Sequence, residues 1–249
     1  MKNVIFIGPP GVGKGTFSKL VSQRLNLKHI SLGDIVRTEI SRGTLLGKEI
    51  QDKYVGKGLL LPDHVATTLA ATEVKRVYDG NRKTLCISSK HYNGIILDGY
   101  PRTTSQAEAL SILIHSYAGA GDEFSAVNIV LEDWVAIKKI LGRVKCTKCN
   151  RDFNETDVLI DGYDMPAILP TPQSCPSTKD VAGEGFCGGK YLRRTRSDDT
   201  DIKTIRTRFC EYELKTSPVL EYYRARDRLK VLQVKRGIKD IDDLLQLII

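Results

Sequence analysis

Short apolar runs alternate along this chain with stretches whose apolar residues recur every three or four positions. Residues 3–7 read NVIFI, a β-branched run apolar on successive positions, which predicts a strand buried on both faces. Phe17, Leu20, Val21 and Leu25 then follow at helical spacing. HIS at 29–31 predicts a second strand, IILDG from residue 95 a third, VNIVL at 127–131 a fourth and KVLQV at 230–234 a fifth. A helix is expected from about Val65, with Asp63 as its cap. Another is expected over 134–144, burying Val135, Ile137, Ile140 and Leu141. A last one near 240–249 buries Ile241, Leu244, Leu245 and Ile248. Uniformly apolar strands alternating with helices predict an α/β fold with a five-stranded parallel sheet covered on both sides, a three-layer arrangement.

Two segments break the alternation. Residues 32–63 have a helical pattern interrupted at Gly43 and Gly47, and residues 145–192 are rich in Cys, Pro, Gly and Asp. A structureless loop as long as the second is unusual inside a compact domain, so it reads as a small module held by something other than an apolar core.

With 249 residues the chain can form one good core with insertions. No run of 18 apolar residues occurs, which argues against a membrane-spanning helix. The first strand starts about two residues after Met1, leaving no room for a leader peptide and pointing to the cytoplasm, with an organelle matrix left open. The formal net charge is +8, but no block of five consecutive Lys or Arg is present. Scattered cations that converge on folding suit phosphate ligands better than nucleic acid. Four of the six cysteines, Cys146, Cys149, Cys175 and Cys187, fall in the second irregular segment, and the first two form a C-x2-C pair. That grouping favours a metal site over disulfides. Cys86 and Cys210 read as buried small apolar residues rather than ligands.

Residues 8–16 read GPPGVGKGT between the first strand and the first helix. Glycines there let backbone N–H groups approach phosphate oxygens, the helix adds its positive end, and Lys14 reaches outward. The pattern departs from the usual P-loop by one position, because Gly15 follows Lys14 and the threonine, Thr16, comes one residue late.

GPPGVGKGT, LGDIVR at 32–37, LDGYPRT at 97–103 and RSDDT at 196–200, in that order, resemble the nucleoside monophosphate kinases, most closely the adenylate kinase family with a long lid. The resemblance runs from Val4 to about residue 245, and the GKGT ending is characteristic of the family. It implies a P-loop core over 1–31, 64–144 and 193–249, a monophosphate-binding insert over 32–63 and a lid over 145–192. It implies reversible, magnesium-dependent transfer from ATP to AMP by a monomer that binds neither nucleic acid nor membrane. Gly11, Gly13, Lys14, Gly15, Thr16 and Arg143 would bind the donor. Leu32, Arg37, Leu60, Leu61, Gly99, Arg102 and Gln106 would bind AMP, with Gln106 reading the purine through its amide. Lys14, Arg102, Arg143, Arg196 and Arg208 would be catalytic. Asp98 would hold magnesium through water, and Asp198 and Asp199 would orient the arginines or hinge the lid.

Two positions depart from the family pattern. Leu32 stands where a threonine is usual near the acceptor base, and Lys139 stands where an arginine often lies over the donor base. A flat guanidinium stacks better than an ammonium, so the donor base is left open between adenine and guanine. In the lid, Cys146, Cys149, Cys175 and Cys187 offer four thiolates for a structural zinc, with Glu184 the alternative to Cys175 as third ligand. None of the four histidines fits a catalytic constellation. Two other readings compete: a GTP:AMP phosphotransferase or other monophosphate kinase, and a zinc-knuckle nucleic-acid-binding P-loop ATPase.

Overall fold

A computed structural model of the protein describes residues 2–82, 91–118, 124–175, 188–199 and 201–249. Cys86, Glu184 and Cys187 lie outside these residues. Strand β1 (Lys2–Ile7) leads to α1 (Lys14–Leu25), β2 (Leu27–Ser31), α2 (Leu32–Ser41) and α3 (Leu45–Lys53). Next come a 3₁₀ turn at Val55–Lys57, α4 (Asp63–Arg82), β3 (Gly94–Asp98), α5 (Thr104–Ala118), β4 (Phe124–Val130) and α6 (Asp133–Leu141). Strands β5 (Arg143–Cys146), β6 (Asp152–Asn154) and β7 (Leu192–Arg193) follow. Helices α7 (Ile202–Glu211) and α8 (Ser217–Arg224), strand β8 (Leu229–Gln233) and helix α9 (Ile241–Ile248) complete the chain. Cys210, expected to be buried, is exposed instead, on the solvent side of α7.

The main sheet has the order β2-β3-β1-β4-β8, and all neighbours are parallel. The period-two alternation within each strand divides the core between its faces. Ile5, Ile7, Ile95, Leu97 and Ala126 pack with α2, α4, α5 and α8 on one side. Val4, Phe6, Ile96, Val127 and Ile129 pack with α1, α6 and α9 on the other. The fifth strand departs from expectation: β8 is an edge strand, and within it only Leu232 is buried. Among the described residues, no helix is long and apolar enough to cross a membrane.

Residues 32–63 fold as expected into helical pieces. Ser31 caps α2 by accepting from the Asp34 N–H at 3.3 Å, and Thr44 caps α3 by accepting from Gly47 at 2.9 Å. The helix expected over 134–144 is shorter than that, because α6 stops at Leu141 and Gly142 caps it. Arg143 then begins β5, which pairs antiparallel with β6 and β7 in a small second sheet. Between α7 and α8 the chain makes a π turn at Tyr212–Thr216 that buries Tyr212 and Thr216.

The segment after β6 does not stand apart from the core. Val158 and Met165 bridge each other through paired 2.9 Å backbone bonds, and with Tyr163 they join the core cluster under α1, α6 and α9. The Asp164 N–H bonds to the Lys235 carbonyl at 2.9 Å, and Tyr163 packs edge-on against Trp134. Residues 156–165 thus form a strap across the core.

Asp240 holds the last strand to the last helix. Its carboxylate is 2% exposed and accepts from the N–H groups of Lys235 and Arg236 and from Arg236 Nε, each at 2.8 Å. Asp240→Ala strands these donors and is expected to lower stability by about 2–4 kcal/mol. Guanidinium unfolding should show a lower midpoint at unchanged slope; an unmoved midpoint would refute this role for Asp240.

Candidate functional site

The parallel order puts the ends of β1, β2 and β3 together, and Asp98 ends β3 in register with Phe6 and Ser31. A cleft of about 530 Å³ opens there, a volume that suits nucleotide-sized ligands. Its floor is the loop from Gly8 to Gly13. A Cβ on Gly11 would come 2.5 Å from the Ala136 carbonyl, and φ is +88°, so only glycine lets the loop lie against α6. A Cβ on Gly15 would sit 3.1 Å from Asp98 Oδ2, which explains why the first turn of α1 carries no larger side chain there. Gly13, Thr16 and the first turn of α1 line the cleft, so the helix's unpaired N–H end faces it.

The Lys14 ammonium donates to the carbonyls of Gly8 at 2.6 Å and Pro9 at 2.7 Å. Part of its side chain opens to the cleft, but protein encloses the ammonium on most sides. That burial brings its pKa down to about 7; Asp98 opposes the shift, and Arg102, Arg208 and Arg143 reinforce it. Burial alone would raise the Asp98 carboxyl, but His29 and the Lys14 charge outweigh it and hold Asp98 below its usual range. His29 was not singled out from sequence. Its Nε2 lies 3.8 Å from Asp98 Oδ2, and it lines the cleft. The alternation along β2, which puts His29 on the same face as Ser31, was the available signal.

One side of the cleft comes from the insert and β3. Arg37 pairs with Asp34 at 2.6 Å, and Arg102 Nε donates to the Gly99 carbonyl at 3.0 Å. Leu60 donates its N–H to Glu211 at 3.2 Å, and Leu61 and Leu32 also face the cleft. Leu32 is 7% exposed and packs within the core cluster around α2 and α4, so the bulk that replaces a threonine is absorbed by apolar neighbours. Gln106 is buried at the start of α5 behind Arg102.

The opposite side is built from three arginines. Asp199 accepts from Arg143 at 2.7 Å and from Arg208 at 2.6 Å, and Asp198 pairs with Arg208 at 3.1 Å. One buried carboxylate therefore aims two guanidinium groups. Arg196 is lowered to about 10 by burial first and then by the charges of Arg143 and Arg37. Arg102 is lowered by burial first and then by Arg208. The expected arginines, Lys14 and Asp98 are all brought together on one cleft. Lys139 is not. It points instead into the strap, where its ammonium donates to the carbonyls of Thr156 at 2.8 Å and Met165 at 2.9 Å.

Cys146 ends β5, and Cys149 and Cys175 pack beside it against the second sheet. The Sγ atoms of Cys146, Cys149 and Cys175 lie within 4.8 Å of one another, and Cys149 and Cys175 are 3.4 Å apart. Thiolates on a tetrahedral zinc are about 3.8 Å apart, so the trio fits three of its corners. Burial works against ionisation of Cys146, but N–H groups of Cys149 and Lys148 aimed at its sulfur bring it to about 7.

The adenylate kinase sequence profile matches residues 6–228. A GTP:AMP phosphotransferase of Plasmodium falciparum is 34% identical over 99% of this chain and 95% of its own. An adenylate kinase of Fervidobacterium nodosum is 32% identical over 98% of this chain and 95% of its own. A probable chloroplastic adenylate kinase 6 of Arabidopsis thaliana is 32% identical over 95% of this chain and 70% of its own. Profile and relatives span nearly the whole chain, glycine loop, insert and strap included, and the chain therefore belongs to the adenylate kinase family and is a nucleoside monophosphate kinase.

Proposed function

We propose that the protein transfers the terminal phosphoryl group of ATP to AMP, reversibly, giving two molecules of ADP. The observation that carries the reading is the convergence of Lys14, Arg37, Arg102, Arg143, Arg196 and Arg208 on one cleft between a glycine loop and Gln106. The AMP phosphate is already ionised, so its attack needs no general base. The difficulty is to bring two polyanions into line and to stabilise charge on the phosphoryl group in transit. Lys14 and the glycine-loop N–H groups take the donor phosphates. Arg37 and Arg102 take the acceptor phosphate, since a guanidinium can bond two oxygens in one plane. Arg143 and Arg208, fixed by Asp198 and Asp199, and Arg196 beside them meet the phosphoryl group itself. After burial, neighbouring arginine charges depress Lys14, Arg102 and Arg196, so phosphate binding would relieve a repulsion already present.

Asp98, an ionised carboxylate against the first turn of α1, suits magnesium held through water, and Thr16 lines the same cleft. The ion would neutralise charge on the donor phosphates and hold them in one geometry. Basic charge drawn inward in this way leaves the protein suited to free nucleotides rather than to nucleic acid. In the second sheet, Cys146, Cys149, Cys175 and Cys187 would hold a structural zinc, stiffening a unit whose own core is small.

A coupled assay with ATP or GTP as donor and AMP, CMP, UMP or GMP as acceptor tests the main reading. ATP with AMP is expected to be the best pair; no turnover with AMP would sink it. Lys14→Met is expected to lower kcat by about 100- to 1,000-fold.

Lys14 also sets a pH signature. With a pKa of about 7 before nucleotide binds, it is mostly neutral at pH 8. Bound polyphosphate favours the charged form and raises that pKa. ATP binding at pH 8 should therefore take up close to one proton, and progressively less below pH 7. Calorimetry in two buffers of different ionisation enthalpy reads this directly. Lys14→Met should abolish the uptake, and net proton release at pH 8 would contradict it.

Purified protein should contain about one zinc per chain, and Cys146→Ser should lose it and melt several degrees lower. Protein that neither contains zinc nor takes it up when refolded with it would remove the metal proposal.

A further inference from the structure

Gln106 is 1% exposed, yet it borders the acceptor side of the cleft. Its carboxamide Oε1 accepts from the Arg102 backbone N–H at 2.8 Å, and its Nε2 donates to Asp63 Oδ1 at 2.8 Å. Asp63 Oδ2 in turn accepts from the Thr103 hydroxyl at 3.0 Å, and Thr103 Oγ1 accepts from the Gln106 N–H at 3.2 Å. The side chain expected to cap α4 is thus spent across the fold, on the start of α5.

A carboxamide can turn by half a revolution at little cost, exchanging its oxygen and nitrogen. Here both ends forbid that. A backbone N–H can only donate, so it requires Oε1, and a carboxylate can only accept, so it requires Nε2. Turning the amide would create two buried conflicts, each with the penalty of an unmet polar group. The oxygen keeps one free lone pair and the nitrogen one free N–H.

That fixed order has a consequence for the base. Adenine presents an amino group at position 6 next to a ring acceptor. A 6-oxo purine presents a carbonyl there next to a ring N–H, the reverse order. A free carboxamide would match either by turning; a fixed one matches only the first. We propose that Asp63 is a specificity-determining positioning residue: it locks the Gln106 carboxamide in the orientation that accepts a 6-amino purine and rejects a 6-oxo purine. The inference rests on the reading that Gln106 faces the acceptor base.

The test compares AMP with inosine monophosphate as acceptor, because the two differ only at position 6 and the adjoining ring proton. Asp63→Asn keeps the shape but can donate or accept, so one of the two conflicts disappears. The ratio of kcat/KM for AMP over inosine monophosphate should fall roughly tenfold, with KM for ATP unchanged. Thr103→Val, which leaves Asp63 in place but removes its support, should move the ratio the same way by less, and serves if Asp63→Asn folds poorly. Gln106→Leu separates the two layers of the argument. If Gln106→Leu erases the preference while Asp63→Asn and Thr103→Val leave it intact, the lock is wrong and the acceptor reading stands. Should Gln106→Leu leave the ratio untouched, the acceptor reading itself fails. Equal losses for both acceptors in Asp63→Asn would reduce Asp63 to a structural role and overturn the proposal.

Discussion

Mutual repulsion among cations is the constraint around which this molecule is arranged. Lys14, Arg37, Arg102, Arg143, Arg196 and Arg208 approach one another from six separate places in the chain. Among the described residues, carboxylates answer them: Asp34 on Arg37, Asp98 near Lys14, Asp198 and Asp199 on Arg143 and Arg208, and Asp152 near Arg196. Such a set is tolerable only if a rigid frame holds it and polyanions complete it. The parallel sheet supplies the frame, since the glycine loop and Asp98 leave adjacent strands at the same edge. Asp199 supplies the finer positioning. It fixes Arg143, which opens β5 of the second sheet, and Arg208, which lies on α7, through one carboxylate.

Much of this frame was legible in the sequence because it rests on local signals. Uniformly apolar strands can be buried only on both faces, and the glycine loop stands between a strand and a helix as phosphate binding requires. What escaped was set by contacts distant in sequence. Gly142 ends α6 early because Arg143 to Lys145 find partners at Asn154 to Asp152, which no local pattern reveals. His29 looks like an ordinary strand residue until β3 brings Asp98 beside it. Asp63 has the right composition for a helix cap, but its hydrogen bonds reach 40 and 43 residues down the chain.

The strap shows the same limit on a larger scale. Residues 156–165 read as part of a module held by cysteines, and Cys146, Cys149 and Cys175 do cluster beside the second sheet. Yet Val158, Tyr163 and Met165 belong to the main core. Lys139 explains the attachment. A buried ammonium needs acceptors, and the carbonyls of Thr156 and Met165 provide two of them. The residue that the family resemblance would lay over a donor base is thereby committed to the protein's own backbone.

The two ends of the cleft consequently differ in how a base can be recognised. On the donor side, Lys139 is committed to the Thr156 and Met165 carbonyls and so is withdrawn from stacking on a base. On the acceptor side, a buried carboxamide has both of its ends already assigned by groups that admit one orientation each. A buried polar group with a fixed direction rejects a mismatched partner far more strongly than an apolar wall does, because the mismatch leaves it unpaired. If Gln106 reads the acceptor base as proposed, selectivity there would follow from Asp63, Thr103 and Arg102, which leave its carboxamide nowhere to turn.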